Sequence, residues 1–185
     1  EPIFAAQEAD ACKRNRRGVT VAQLNQADRA AFTEAVGFAF ENSPWIAECA
    51  WEDRPFESAG ALHARMVQVV NAAPLEKRVA LIAAHPDLAG RLAREGRLTP
   101  ASQREQQSAG LDALSLEETA RFERLNRAYR DRFGFPFVIC ARENTKESIL
   151  AALETRLLND RDAEIAAALD EIAKIARHRL ESAVQ

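Results

Sequence analysis

Three groups of side chains in this 185-residue sequence have the makings of an active site. The first is His85, which closes an apolar helical run and is followed at once by Pro86 and Asp87. A proline ring crowds the residue before it and disfavours helical geometry there, so the imidazole is expected at a helix junction. An imidazole titrates near neutrality and can move a proton in a cleft, although a histidine before proline also serves as a cap or a packed side chain. The second group is Ser102, Glu105 and Gln106. Positions i, i+3 and i+4 share a helix face, so a hydroxyl, a carboxylate and a carboxamide can meet one ligand. Ser102 and Glu105 also have capping-box spacing, which leaves an ordinary helix start open. The third is Arg179, onto which the inward stripe Ile165, Leu169, Ile172, Ile175 and Ala176 runs. A guanidinium there either finds an anionic or carbonyl partner or snorkels to water, because an unpaired buried charge is very costly.

The elements that must hold these residues read almost throughout at helical period, rich in Ala, Leu, Glu and Arg and poor in β-branched residues. The fold class is therefore all-α: a single-domain bundle of about eight to nine helices. The first helix is expected over residues 26–41, with "NSPW" opening a short helix through Trp51. Ser58 starts a helix to about Ala73, and Pro74 opens the next, which delivers the chain to His85. Thr99 or Ser102 caps the helix carrying the second group. Ser115 with Glu118 is a capping box at the head of a long helix. That helix ends at "FGFPFVICAR", an extended apolar segment near 135–140 and the only non-helical stretch hydrophobic enough to line a cavity. Thr145 caps a helix to about Asn159, and the last helix runs from Arg161 to about Glu181. Residues 1–18 are expected to be a flexible N-terminal segment and 19–185 the folded domain.

Charged residues make up 29% and the net charge is −3, which provides no global field to attract nucleic acid or anionic lipid. No apolar run reaches the roughly 20 residues that a membrane-spanning helix needs. Cys12, Cys49 and Cys140 are odd in number and widely spaced, form no zinc-type cluster, and read as small buried apolar residues of a protein in a reducing, cytoplasmic setting. His63, beside Leu62 and Met66, reads as a core or supporting histidine. Phosphate-loop, dinucleotide, esterase and zincin motifs are absent from the sequence. Two other readings stay open on residue types alone: a non-catalytic all-α interaction domain, and a divalent-metal site for hydrolysis built from His85, Asp87 and Glu105.

Taken together and in this order, "NSPWIAECAWEDRPF", "AHPDLAG", "SQREQQSAGL" and "FGFPFVICAR" resemble the 2-oxo-4-hydroxy-4-carboxy-5-ureidoimidazoline (OHCU) decarboxylases of urate degradation. The likeness runs from about Val19 to Glu181. It implies an all-α homodimer, without metal or organic cofactor, that decarboxylates a small molecule of the urate pathway to (S)-allantoin. It implies His85 as catalytic acid/base with Glu105 as the second catalytic residue. It further implies substrate contacts from Pro86, Ser102 and Gln106, from the main chain of Phe137, Val138, Ile139, Cys140 and Ala141, and from Arg179, with Arg177 as the neighbouring alternative.

Overall fold

The computed structural model describes residues 18–185, so the expected N-terminal segment and Cys12 lie, apart from Gly18, outside the described residues. Ten α-helices follow one another: α1 Val21–Gln26, α2 Arg29–Val36, α3 Trp45–Ala50, α4 Ala59–Ala72, α5 Leu75–Ala83, α6 Arg91–Arg94, α7 Pro100–Ser108, α8 Leu116–Phe133, α9 Lys146–Arg156 and α10 Arg161–Ala183. Single 3₁₀ turns occupy Gly37–Ala39, Trp51–Asp53 and Ala141–Glu143. There is no strand among the described residues. One isolated bridge, Val19 with Val184, ties the start of the described chain to its end.

Local chemistry explains most boundaries. Ser115 accepts from the Glu118 amide while the Glu118 carboxylate accepts from the Ser115 amide, the reciprocal box that starts α8. Gly134, at φ 79°, ends that helix in the left-handed region that favours glycine. Thr99, not Ser102, caps α7, with Pro100 at the first helical position, so the Ser102 and Glu105 side chains are released from capping. The single helix expected over 26–41 is instead α2 and a 3₁₀ turn, and α1 is a further short helix ahead of it. Asp28 accepts from the Ala31 amide and starts α2 there, and the separate α1 accounts for the helix count exceeding eight to nine.

The long helix α10 is the spine of the bundle. It packs against α4, α5 and the Gly37–Ala39 turn, while α8 packs on α9 and α7 on the Ala141–Glu143 turn. Ile165, Ala168, Leu169, Ile172, Ile175 and Ala176 bury its inner face, and the stripe ends on the buried Arg179 as the periodicity predicts. Phe135, Phe137 and Val138 are buried in the extended segment, where Tyr129 stacks edge-on against Phe137. His63 Nε2 donates to the Ala173 carbonyl at 2.8 Å, which makes it a tie between α4 and α10. Cys140 is buried but Cys49 is exposed, because it falls on the outer face of the six-residue α3 while Ile46, Ala47 and Ala50 take the inner one.

Candidate active site

His85 leaves the end of α5 through a broken last turn, its amide donating to the Ile82 carbonyl at 3.1 Å. Its Nδ1 lies 2.9 Å from the Leu81 carbonyl, which can only accept, so Nδ1 carries the proton. The neutral ring then presents Nε2 as a bare lone pair, and this atom is buried with no hydrogen-bond partner among the described residues. Burial of the ring pushes its pKa below the usual 6.5. The Leu81 carbonyl and the charges of Glu41 and Glu105 act against that shift, and Arg179 adds to it. The outcome is an imidazole that is neutral at neutral pH with an unused base.

The loop after His85 is pinned from two sides. The Ala89 amide donates to Gln106 Oε1 at 3.0 Å, and Asn126 donates to the Leu88 carbonyl at 2.9 Å. Ala89 itself sits at φ 51°, a left-handed backbone that a β-carbon resists, held by these contacts. Gln106 thus spends its carboxamide oxygen on the loop that carries His85.

Arg179 approaches from the last turns of α10. Its Nε and Nη2 donate to the two oxygens of Glu105 at 2.7 and 2.8 Å, a side-on bidentate pair. Its Nη1 donates to Glu41 Oε2 at 2.8 Å and to the Phe38 carbonyl at 3.2 Å, and Nη2 also reaches Ser102 Oγ at 3.3 Å. Arg177 points elsewhere and pairs with Glu143 at 3.0 Å. Of the two arginines, only Arg179 reaches the group.

The wall opposite is the extended segment, braced from behind. Arg156 Nη1 donates to the Val138 carbonyl at 2.8 Å, and the Cys140 amide donates to Glu171 Oε2 at 2.8 Å. Together these elements enclose a small cavity of about 30 Å³, walled by His85, Pro86, Ser102, Glu105, Gln106, Phe137, Val138, Ile139, Ala141 and Arg179, with Leu88 and Ile175 completing it. Of the residues expected at the site, Cys140 alone is not on this wall; along the segment it faces away, toward Glu171. Glu105 and Arg179 also border an adjoining cleft of about 460 Å³ with Phe38, Arg104 and Arg142.

Residues 25–181 match the family model of OHCU decarboxylase. The chain belongs to the OHCU decarboxylase family. Among curated relatives, a 2-oxo-4-hydroxy-4-carboxy-5-ureidoimidazoline decarboxylase of Haloferax volcanii is 43% identical over 162 residues, covering 88% of this chain and 94% of that one. A crystal structure of (S)-allantoin synthase superposes with a TM-score of 0.73 at 32% identity, over 90% of this chain and 54% of that one. A crystal structure of OHCU decarboxylase in the presence of (S)-allantoin, at 22% identity and a TM-score of 0.63, shares the fold, over 83% of this chain and 96% of the other.

In this member of the OHCU decarboxylase family, His85, Asp87 and Glu105 do not converge as metal ligands. The Asp87 carboxylate turns out to Arg130 at 2.9 Å, and Glu105 is taken by Arg179. The potential ligand atoms that do lie close together, on Cys140, Glu143 and His178, sit away from the cavity wall, where Glu143 is already bound to His178 and Arg177. Glu41 is the residue that sequence reasoning missed. It is a buried carboxylate between the apolar "VGFAF" and "NSPW", and the cost of burying a charge is the signal that marks it, as it marked Arg179.

Proposed function

We propose that this chain decarboxylates 2-oxo-4-hydroxy-4-carboxy-5-ureidoimidazoline to (S)-allantoin, with His85 as the proton-transfer group. The observation that carries the reading is the buried, unpartnered Nε2 of a neutral imidazole beside the Arg179–Glu105 pair. The substrate has a ring C=N next to the carbon that bears both carboxylate and hydroxyl, so it contains its own electron sink. When the bond to the carboxylate breaks, CO2 leaves. The electron pair forms a C=C bond to the neighbouring ring carbon, and the C=N pair moves onto the ring nitrogen. The ring nitrogen takes a proton from solvent, and Nε2 of His85 takes the hydroxyl proton as the oxygen becomes a ring carbonyl, and returns it to one face of the neighbouring carbon. Positioned proton transfer of this kind contributes about 10² to 10⁴ in rate.

The other residues orient the ring. Arg179 donates to a carbonyl or carboxylate oxygen, while Glu105 accepts from ring or ureido N–H groups and Ser102 adds a hydroxyl. The resting cavity of about 30 Å³ holds little more than one water, so the ligand occupies space now taken by the Arg179–Glu105 pair together with the adjoining cleft. Residues 19–185 serve as one catalytic domain, and the homodimer and cytoplasmic setting implied by the resemblance belong to the same proposal. Sedimentation of the purified protein tests the dimer.

The activity is tested by following circular dichroism while urate is oxidised in the presence of hydroxyisourate hydrolase. Adding this protein is expected to produce the signal of optically pure (S)-allantoin faster than spontaneous decay. A racemic product formed at the uncatalysed rate overturns the reading in favour of a non-catalytic domain.

A further inference from the structure

The decarboxylation proposed above leaves one buried charge of the site without a task. Glu41, 4% exposed, follows the Gly37–Ala39 turn and is not on the wall of the small cavity. Its Oε2 accepts from Arg179 Nη1 at 2.8 Å and from Ser102 Oγ at 3.3 Å. The opposite edge of the same guanidinium, Nε and Nη2, belongs to Glu105, whose side chain is 13% exposed and borders both the cavity and the adjoining cleft. Glu41 borders a different cleft, of about 280 Å³, with His85, Pro86 and Thr99, so the two carboxylates hold the arginine from two sides. The cleft of about 460 Å³ is bordered by Glu105 and Arg179 and not by Glu41, so a ligand seated there is placed to compete for the Nε and Nη2 edge that Glu105 holds. An oxygen placed there releases the Glu105 carboxylate to accept N–H groups, and Arg179 is left with Glu41 as its sole carboxylate.

We propose that Glu41 is a positioning residue: it stays on Arg179 Nη1 and Ser102 Oγ while a substrate oxygen replaces Glu105 on the other edge of the guanidinium. This rests on the decarboxylase reading. An arginine deprived of both carboxylates in a buried site has every reason to leave it for water, because the desolvation of its charge is no longer offset. Glu41 removes that option and presents a fixed fork to the ligand. Without Glu41 the guanidinium of the free enzyme relaxes toward water and must be brought back equally for the substrate complex and the transition state, so the loss shows in KM rather than kcat. Glu41 also faces His85 electrostatically. With Glu105 it favours the imidazolium, and Arg179 opposes both.

The test compares wild type, Glu41→Gln and Glu41→Asp in the coupled urate assay, with (S)-allantoin as a calorimetric probe. Glu41→Gln is expected to raise KM and the dissociation constant of (S)-allantoin about tenfold or more, with kcat within about threefold. Its acid limb in kcat/KM moves to lower pH, because the neighbouring negative charge is gone. Glu41→Asp keeps the charge, leaves the acid limb in place and raises KM less. If Glu41→Gln does not fold, a raised KM with unshifted acid limb in Glu41→Asp carries the proposal. A lowered melting temperature with KM, allantoin binding and acid limb all unchanged means that Glu41 only stabilises the fold, and the proposal fails. A fall in kcat at constant KM also overturns it. An inactive wild type overturns the decarboxylase reading and the proposal together, whereas an active wild type with indifferent Glu41 variants overturns the proposal alone.

Discussion

Two buried arginine–carboxylate clusters lie on either side of the extended segment, built from nearly the same parts. In one, Glu164, fully buried, receives Arg156 Nε at 2.8 Å, Asn159 Nδ2 at 2.8 Å and the Tyr129 hydroxyl. One cation meets one anion, and three donor residues converge on the carboxylate. In the other, Arg179 alone meets Glu41 and Glu105, and His85 beside them keeps an unpartnered nitrogen. The first is closed and serves as a brace, passing its rigidity to the cavity wall through the bond from Arg156 to Val138. The second carries an excess negative charge and an unused base, so it has bonds to exchange with a ligand. A buried ionic cluster declares its role by what it leaves unsatisfied.

Several substitutions press on this contrast. His85→Ala is expected to lower kcat by about 10² to 10⁴ and to reduce the optical purity of the allantoin, with little loss of stability, since the ring that it removes leaves few bonds behind. Unchanged rate and optical purity in the coupled dichroism assay remove His85 from the mechanism. Glu164→Ala strands Arg156 and is expected to cost about 3 to 5 kcal/mol in chemical denaturation, acting on activity only through the fold.

Glu105→Gln separates the clusters most directly. Neutralising one of two carboxylates on a single arginine balances the site, so stability is expected within about 1 kcal/mol of wild type while the rate falls about 10²-fold. A stability loss matching that of Glu164→Ala shows that both clusters are structural braces. The pH profile gives a smaller effect. The pKa of folded His85 lies below 6.5, so below that pH the unfolded chain takes up the proton first. Stability is complete above about pH 6.5 and declines as the pH falls toward the folded value. The acid limb of kcat/KM has an apparent pKa below 6.5, and a limb above 6.5 contradicts the buried neutral ring. Smallest is Asp87→Asn, which breaks a half-exposed pair with Arg130 and is expected to cost under about 1 kcal/mol, with kcat within about threefold. A large loss of activity there revives the metal-site reading.

What could be read in advance followed from distance along the chain. The capping box at Ser115 and the break at His85–Pro86 each depend on residues within a few positions and are as expected, while the inward stripe led to Arg179 without deciding between burial and snorkelling. The Asp28 cap is an equally local signal, and it makes α2 start later than the apolar period of 26–41 alone suggests. Glu41 and Arg179 are 138 positions apart, and no period or motif in either segment pairs them. Along 137–141 the apolar composition was legible, but it does not say that Glu171 turns the Cys140 amide away from the cavity.

The sequence alone determined that this chain is helical, where most of its helices begin and end, and that His85 leaves a regular helix, because caps, periodicity and proline sterics act within one or two turns. The motif resemblance added the family and its candidate residues. Only the tertiary structure decided which edge of Arg179 faces which carboxylate, that Nδ1 of His85 is held by Leu81 while Nε2 is not held at all, and that Gln106 clamps the loop. Those are matters of hydrogen-bond direction and burial between segments far apart in the chain, where a change of an ångström decides whether a polar atom is satisfied or available.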